Sequence, residues 1–407
     1  MIPRLKPYLG KEEILALFKK RENAVKRFEI EFASQFNTEY AVAFPYGRSA
    51  LWAFFKSLDL DPFEVVQPAY TCSVVAHATV LSGNIPVFVD INLTDYNMDL
   101  DLMAKAITPY TRVIIPTHLF GYPMDINKVK EIVQKAEDKY GHKIWIIQDC
   151  AHSFDAKYKG DSVINSGDGA IFGLGISKQI TSIFGGMFTT NDEAIAKNLR
   201  DFRDSYFLVP SWKKSLKRYL YLLAVYPAFQ SFIYGLVYWL QEKTPFLNRL
   251  TRDYHLDEKI HFPPDHLDQM TAIEALVGLE QLKKYPAVYS KRIEIANEYF
   301  SNIISSSKFI LPPEVGGATY SHFVIRTENR DQLLALFASK GIQLGQLIEY
   351  SMPHHPAYKI YVQETAFPNS YLCSNSLINL PIYPNLKNAQ INRIISLTNT
   401  IFQSDEN

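Results

Sequence analysis

The 407-residue chain contains little cysteine and carries no net charge. Its three cysteines, Cys72, Cys150 and Cys373, are too few and too scattered for a disulfide framework or a zinc site, which favours a reducing, cytoplasmic compartment. Lysine and arginine number 42, as do aspartate and glutamate, so the composition gives no sign of a nucleic-acid-binding surface. Charged residues recur from Arg4 onward, and this pattern argues against a secretory signal peptide.

One stretch has no charge at all. Between Tyr219 and Leu240 none of the 22 residues is charged, whereas Lys213, Lys214, Lys217 and Arg218 lie just before it. Its length alone would suffice for a membrane span. Pro227 and the many aromatic residues instead predict two shorter helices that meet near the proline.

The remaining pattern predicts an α/β protein. Apolar runs that read as strands alternate with amphipathic runs that read as helices between residues 40 and 205, which indicates a mostly parallel sheet covered by helices on both faces. Residues 205–262 interrupt this alternation and read as an insertion. We expect a large domain over residues 1–290 and a small α+β domain over residues 291–407.

Lys178 is an isolated lysine in a strand-and-turn segment that is otherwise uncharged and is followed by Gly185-Gly186. Such surroundings lower the proton affinity of an amine, so that it can attack an aldehyde. Asp149 ends the apolar run that begins at Ile144, and a carboxylate at a strand end can keep a pyridine nitrogen protonated. Together the two residues predict a site for pyridoxal 5'-phosphate, although a surface lysine and a helix-capping aspartate are the ordinary alternatives.

Three further features bear on this site. Gly47, Arg48 and Ser49 open a helix directly after a strand, where backbone N–H groups attract phosphate; an ordinary capped helix remains the alternative. His152, three residues after Asp149, could stack on a cofactor ring or be a plain polar residue. Three other histidines lack the neighbouring carboxylates or cysteines of a metal site, so no metal is expected. They are His118, His354 and His355.

Over most of its length the chain resembles the DegT/DnrJ-type sugar aminotransferases, which are fold-type I pyridoxal-phosphate enzymes. The matching segments follow one another over most of the chain. They include Pro68–Thr71, Pro86–Ile91, Ile107–Arg112, His118–Asp125, Asp149–Ser153, Gly185–Asp192, His354–Tyr358 and Leu380–Pro384. The resemblance implies that Lys178 binds the cofactor covalently and moves the proton, and that Asp149 pairs with the pyridine nitrogen. It places His152 beside the ring and the backbone of Arg48 and Ser49 at the phosphate.

The chain departs from the family pattern at three positions, and the turn after Lys178 is one residue shorter than the family's. Gly173 stands where the family has a serine five residues before the lysine, and Ser177 is a candidate to supply the missing hydroxyl. Cys72 stands where the family has a large ring-stacking residue, and Leu267 where it has an asparagine that reaches the partner subunit's phosphate. The lysine itself is retained, which argues against the sugar-dehydrating branch in which histidine replaces it.

The resemblance implies a homodimeric enzyme that transfers an amino group, from glutamate, to a keto group of a nucleotide-linked sugar in surface polysaccharide or lipid-linked glycan synthesis. Two alternatives stay open. One is another pyridoxal-phosphate reaction on the same fold, such as that of an aldolase, a decarboxylase or a dehydratase. The other is a non-catalytic binding protein with this fold.

For the insertion, three interpretations compete. Its helices could pack on the enzyme's own surface or across a dimer, or residues 213–243 could lie at a membrane surface, with aromatic side chains among the headgroups and the basic cluster on anionic lipid. A true span is disfavoured, because the chain on both sides belongs to one catalytic unit.

Overall fold

The structure is a computed structural model that describes residues 1–243, 260–362 and 366–406. Its centre is a seven-stranded sheet in the order β1-β9-β8-β5-β4-β2-β3, in which only β9 runs antiparallel to its neighbours. The prediction of a mostly parallel sheet is therefore confirmed. The strands, including a small hairpin of β6 and β7, are β1 Tyr40–Phe44, β2 Glu64–Pro68, β3 Ile85–Val89, β4 Thr111–Ile114, β5 Trp145–Asp149, β6 Lys157–Tyr158, β7 Asp161–Ser162, β8 Gly169–Gly173 and β9 Gly186–Thr190.

Helices cover this sheet. Those of the first half of the chain are α1 Lys11–Ala16, α2 Ala24–Gln35, α3 Gly47–Ser57, α4 Ser73–Leu81, α5 Leu100–Ala106, α6 Ile126–Tyr140 and α7 Glu193–Tyr206. Several begin at an aspartate whose carboxylate accepts from backbone N–H groups, as Asp125 does for α6 and Asp192 for α7. The central strands are buried along nearly their whole length, as expected for a sheet covered on both faces.

A second, three-stranded antiparallel sheet lies in the C-terminal part. It consists of β10 Phe309–Ile310, β11 Phe323–Thr327 and β12 Leu377–Leu380. The accompanying helices are α10 Ala272–Asn302, α11 Arg330–Ser339, α12 Pro368–Ser376 and α13 Asn388–Glu406. Residue 290, the predicted end of the large domain, lies inside the continuous helix α10, so the division into two domains stays a prediction.

The described part of the insertion consists of two helices, α8 Trp212–Ala228 and α9 Ser231–Lys243. They meet just after Pro227, as the sequence predicts; residues 244–259 lie outside the described residues. No single described helix is long and apolar enough to cross a membrane. Trp212–Ala228 and Ile233–Leu240 meet those criteria only as a pair, and this pair is bent by 112°.

The four basic residues at the start of α8 do not share one face of the helix. Lys214 and Arg218, four residues apart on one side of the helix, are buried and bind groups of the enzyme body, whereas Lys213 and Lys217 are exposed. The expectation that all four residues lie on lipid is therefore wrong for Lys214 and Arg218. Their side chains fix α8 to α10 and to the segment that precedes α10.

Candidate active site

The predicted site residues follow strands that end at one edge of the central sheet. β5 ends at Asp149, and the turn that carries Lys178 follows β8. β1 leads into α3 at Gly47, and β2 leads toward Cys72, the residue before α4. Because these four strands run parallel to one another, their carboxyl ends share an edge of the sheet, where ligands of such sheets bind.

Lys178 lies in this edge with most of its side chain enclosed. Its backbone N–H donates to the carbonyl of Gly175 at 3.0 Å, and this turn directs the chain back toward the sheet. A Cβ built on Gly173 would be 3.5 Å from Cε of Lys178, so β8 ends against the lysine stem. Burial lowers the pKa of the Lys178 amine, while Cys72 and the carboxylate of Asp149 act in the opposite direction. The result is an amine that gives up its proton more easily than an exposed lysine.

Asp149 is buried at the end of β5, with 5% of its surface exposed. Its Oδ1 accepts the N–H of Ala151 at 3.0 Å, which fixes the orientation of the carboxylate. Burial raises the pKa of Asp149, and the Ala151 N–H and the positive charge of Lys178 oppose that rise. A positively charged N–H placed against this carboxylate would stabilise its ionised form further.

His152 is enclosed beside these two residues. Its ring stacks on Phe120, with centroids 6.4 Å apart and planes at 13°, and lies 5.0 Å from the ring of His322. Among the described residues its Nδ1 has no hydrogen-bond partner, although the atom is buried. Burial, together with Lys178 and His322, holds the pKa of His152 well below its usual value, so the ring is neutral at pH 7.

The start of α3 packs against the strand that follows the lysine turn. Tyr46 precedes the helix, and a Cβ on Gly186 would lie 2.2 Å from the amide nitrogen of Gly47, a spacing that only glycine permits. The hydroxyl of Ser49 donates to the carbonyl of His266 at 2.9 Å, and the Arg48 guanidinium lies 5.5 Å from the Tyr46 ring. The N–H groups at the start of a helix, together with the positive end of its dipole, suit this first turn to a phosphate.

The departures from the family pattern occupy different environments. Cys72 lies close enough to Lys178 to affect its charge, while Ser177 is exposed. Beside Cys72, the hydroxyl of Tyr350 accepts the first N–H of α4, from Ser73, at 2.8 Å. Leu267 packs partly buried in the apolar cluster beneath α3. The roles of Cys72 and Ser177 toward a cofactor stay predictions.

His118 has a structural role. It is fully buried, its Nδ1 accepts the N–H of Met124 at 3.0 Å, and its Nε2 bonds to Gln148 Oε1 at 2.9 Å. Burial lowers the pKa of His118 to about 4. In the described ranges no group of three or more His, Cys, Asp or Glu side chains is arranged to hold a metal ion.

Sequence reasoning missed His322. This residue precedes β11 in the C-terminal sheet, yet its ring meets that of His152, and its Nδ1 bonds to the hydroxyl of Ser321 at 3.0 Å. Arg292 of α10 holds the same segment through the carbonyls of Tyr320 and Ser321. No local pattern marks His322, since it reaches the site only through packing between distant parts of the chain.

These residues fit pyridoxal phosphate. The amine of Lys178, the carboxylate of Asp149 and the ring of His152, whose Nδ1 has no partner among the described residues, lie at one edge of the sheet. The first turn of α3 begins at the same edge. Lys178 would hold the aldehyde carbon, Asp149 the pyridine nitrogen, His152 a face or edge of the ring, and the backbone at Gly47 to Ser49 the phosphate.

Comparison with known proteins agrees with this geometry. The sequence model of the DegT/DnrJ/EryC1/StrS aminotransferase family matches residues 16–222 and 257–398, so the unmatched interior is 223–256, inside the insertion predicted at 205–262. GDP-perosamine synthase of Escherichia coli O157:H7 is 27% identical over 94% of this chain and 91% of its own length. The spore coat polysaccharide biosynthesis protein SpsC of Bacillus subtilis is 24% identical over 98% of this chain and 97% of its own.

Solved structures of other proteins share the fold of this chain. The sugar aminotransferase CalS13 from Micromonospora echinospora superimposes with a TM-score of 0.78 over 98% of this chain and 100% of its own, at 17% identity. Since the family model covers most of the sequence on both sides of the insertion, the chain belongs to the DegT/DnrJ/EryC1/StrS aminotransferase family.

Proposed function

We propose that this protein transfers an amino group, from glutamate, to a keto group of a nucleotide-linked sugar. The observation that carries the proposal is the shared enclosure of Lys178 and Asp149 at the carboxyl edge of the sheet, in a chain of this aminotransferase family. The name of the E. coli relative is that of an enzyme making a GDP-linked sugar, which supports a nucleotide sugar as substrate. The name of the B. subtilis relative supports a place in polysaccharide synthesis.

The family is pyridoxal-phosphate dependent, and when bound the cofactor supplies an electron sink for the carbon that loses its proton. Lys178 is the base and acid of this site. Because burial lowers the pKa of its amine, Lys178 can take a proton from the amino-bearing carbon of the donor and return one to the cofactor carbon. In the second half-reaction it moves a proton in the reverse sense, toward the carbon of the sugar.

Asp149, His152 and the first turn of α3 bind and orient the cofactor. The Asp149 carboxylate, fixed by the N–H of Ala151, keeps a proton on a ring nitrogen through charge. The neutral ring of His152, held flat by Phe120, excludes water from one side of the site. The first turn of α3 binds the phosphate through its N–H groups and the positive end of its dipole.

Borohydride trapping and a single-turnover reaction test the proposal. Purified protein supplied with pyridoxal phosphate should show a yellow chromophore, and reduction should leave the cofactor on the peptide that contains Lys178. Lys178→Ala should lose the chromophore, whereas Lys157→Ala, which changes an exposed lysine, should retain it.

With glutamate and a panel of keto-sugar nucleotides, the sugar should gain an amine as 2-oxoglutarate forms. Loss of carbon dioxide or water from a substrate would instead assign one of the other pyridoxal-phosphate reactions. Failure of the wild-type protein to bind the cofactor at all would favour a non-catalytic binding protein.

We also infer a homodimer, because the family's active sites lie between subunits. Light scattering should give twice the chain mass of 46.6 kDa. A particle that stays at one chain mass while full transferase activity is measured would contradict this assembly.

We further propose that the protein works in the cytoplasm with α8 at a membrane surface. Four large apolar residues three or four positions apart are exposed along one side of α8, and the exposed Lys213 and Lys217 lie beside them. This apolar stripe is Trp212, Leu216, Leu220 and Leu223. An apolar face bordered by cations complements an anionic lipid surface.

Sedimentation with vesicles tests this contact. The protein should pellet with anionic vesicles and remain in the supernatant with neutral ones, and Leu220→Glu should abolish pelleting. Leu336→Glu, on the exposed side of α11, is the matched control. If the wild type never pellets, the contact does not exist. If Leu220→Glu instead turns a dimer into monomers, the stripe belongs to the subunit interface.

A further inference from the structure

Helix α8 of the insertion contacts two segments of the cofactor site at once. Its buried face carries Lys214, Arg218 and Leu222. Leu222 packs in one apolar cluster with Ile183, which lies between the lysine turn and β9. The next residue, Phe184, lies 4.9 Å from the Tyr221 ring, measured between centroids. The insertion therefore packs directly on the segment that follows Lys178.

Arg218 forms the polar part of this contact. Its Nε donates to Glu274 Oε1 at 2.7 Å, and its Nη2 donates to Asp265 Oδ2 at 2.7 Å and to the Tyr46 hydroxyl at 3.1 Å. The Tyr46 hydroxyl in turn donates to Asp265 Oδ1 at 2.7 Å. Tyr46 is the residue before α3, so this network ends at the helix start predicted to hold the phosphate.

The same guanidinium also contacts the lysine side of the site. Its carbon lies 4.2 Å from the centroid of the Phe184 ring, in a cation–π contact, and Phe184 lies 6.1 Å from the Tyr46 ring. The planar fork of arginine can donate to Glu274, Asp265 and Tyr46 from two separate nitrogens while its face lies on an aromatic ring, and a compact lysine ammonium cannot do both.

The backbone next to Phe184 needs such support. Ile183 has φ of 75°, in the left-handed region that β-branched residues rarely adopt, and its side chain is fully buried against α8 and α10. A conformation of this kind persists only where the surroundings impose it. Leu222, Arg218 and Tyr221 of α8 contact Ile183 and Phe184 and help to hold this backbone.

We propose that Arg218 is a positioning residue for the cofactor site, through which α8 holds the start of α3 and the segment after Lys178 in place. The proposal rests on the proposed function, in that the site binds pyridoxal phosphate. It gives α8 a role in the architecture of the active site, independent of what its exposed apolar stripe contacts.

The test compares variants by cofactor affinity, measured by equilibrium dialysis, and by the visible spectrum of the bound cofactor. Arg218→Met keeps the apolar stem but loses the fork, and Tyr46→Phe keeps the ring but removes the bridging hydroxyl. We expect Arg218→Met to weaken cofactor binding by roughly tenfold or more, and Tyr46→Phe by less. Arg218→Lys should not restore the affinity, because the three N–H groups of an ammonium sit on one nitrogen and cannot reach the acceptors that Arg218 serves from Nε and Nη2.

The matched control is Lys284→Met, which breaks the 2.8 Å pair with the fully buried Glu13 of α1 and removes no bond of Arg218, Tyr46 or Phe184. It should lower the melting temperature but leave cofactor affinity and spectrum unchanged. Equal cofactor affinity for Arg218→Met, Lys284→Met and the wild type at matched stability would overturn the proposal. A wild type that binds no cofactor would refute the proposed function instead. If the wild type binds the cofactor tightly, the variants test the role of Arg218 alone.

Discussion

The α-carbon of Gly186 lies directly against the amide nitrogen of Gly47, so that the antiparallel strand β9 and the start of α3 meet through backbone alone. A Cβ at position 186 would come within 2.2 Å of that nitrogen and 2.3 Å of the carbonyl carbon of Tyr46. Neither atom belongs to a flexible side chain that could move aside. The close approach keeps the first turn of α3 next to the segment that carries Lys178.

Gly186→Ala should therefore push the start of α3 away from β9. We expect a loss of unfolding free energy of about 1–3 kcal/mol, because extra volume is forced into packed backbone, together with weaker cofactor binding. Guanidinium unfolding and dialysis measure the two effects. Gly235→Ala in α9, where a Cβ meets nothing within 4 Å, is the control and should change neither quantity for the worse.

Gly173→Ser should have the opposite effect on the cofactor. A Cβ at this position has ordinary contacts, 3.5 Å to Cε of Lys178 and 3.9 Å to Cβ of Ala151, so the side chain fits. The new hydroxyl would stand where the family has its serine, and we expect the dissociation constant for pyridoxal phosphate to fall severalfold, since one added hydrogen bond to a charged group has about that effect. A dissociation constant that rises would show that the phosphate lies elsewhere.

Much of this site follows from local sequence. Lys178 and Asp149 stand out because each is a polar residue at the end of an apolar run, and the alternation of strands and helices places both at one edge of the sheet. His322 and Arg218 could not be found in this way. Their roles depend on contacts with His152 and Tyr46, which are distant in sequence.

The basic cluster before the apolar run also shows what local sequence indicates and what only packing decides. Lys214 and Arg218 belong to one basic cluster in the sequence, but helical spacing puts them on the face opposite to the apolar stripe. There the backbone carbonyls of Asp268 and Gln269 and the carboxylates of Asp265 and Glu274 bind them. The local sequence shows that four basic residues are present, but only their packing partners determine which of them are buried and which are exposed to solvent.

Stability should fall as the pH drops below neutrality. His118 has a pKa of about 4 in the folded protein against an ordinary value of 6.5, so between these values the unfolded chain binds more protons and stability rises with pH. From pH 7 to pH 5 this one residue should cost about 2 kcal/mol of unfolding free energy. His118→Gln should flatten that slope, while His354→Gln, on the surface, should not. Equal slopes in guanidinium unfolding for all three proteins would contradict the prediction.

Asp149→Asn separates the electrostatic role of the carboxylate from its structural one. The amide keeps an oxygen for the N–H of Ala151, and it removes a group whose pKa burial raises, so the cofactor-free variant should be at least as stable as the wild type. With the cofactor bound, the amide carries no charge to keep a proton on the ring nitrogen, and kcat should fall by roughly 100-fold or more, as expected when one strong electrostatic contact is lost. Stopped-flow measurement of the half-reaction with glutamate should locate this loss in the proton-transfer step, with cofactor binding altered less. A variant that retains the wild-type rate would show that Asp149 is a structural residue and that another group controls the ring nitrogen.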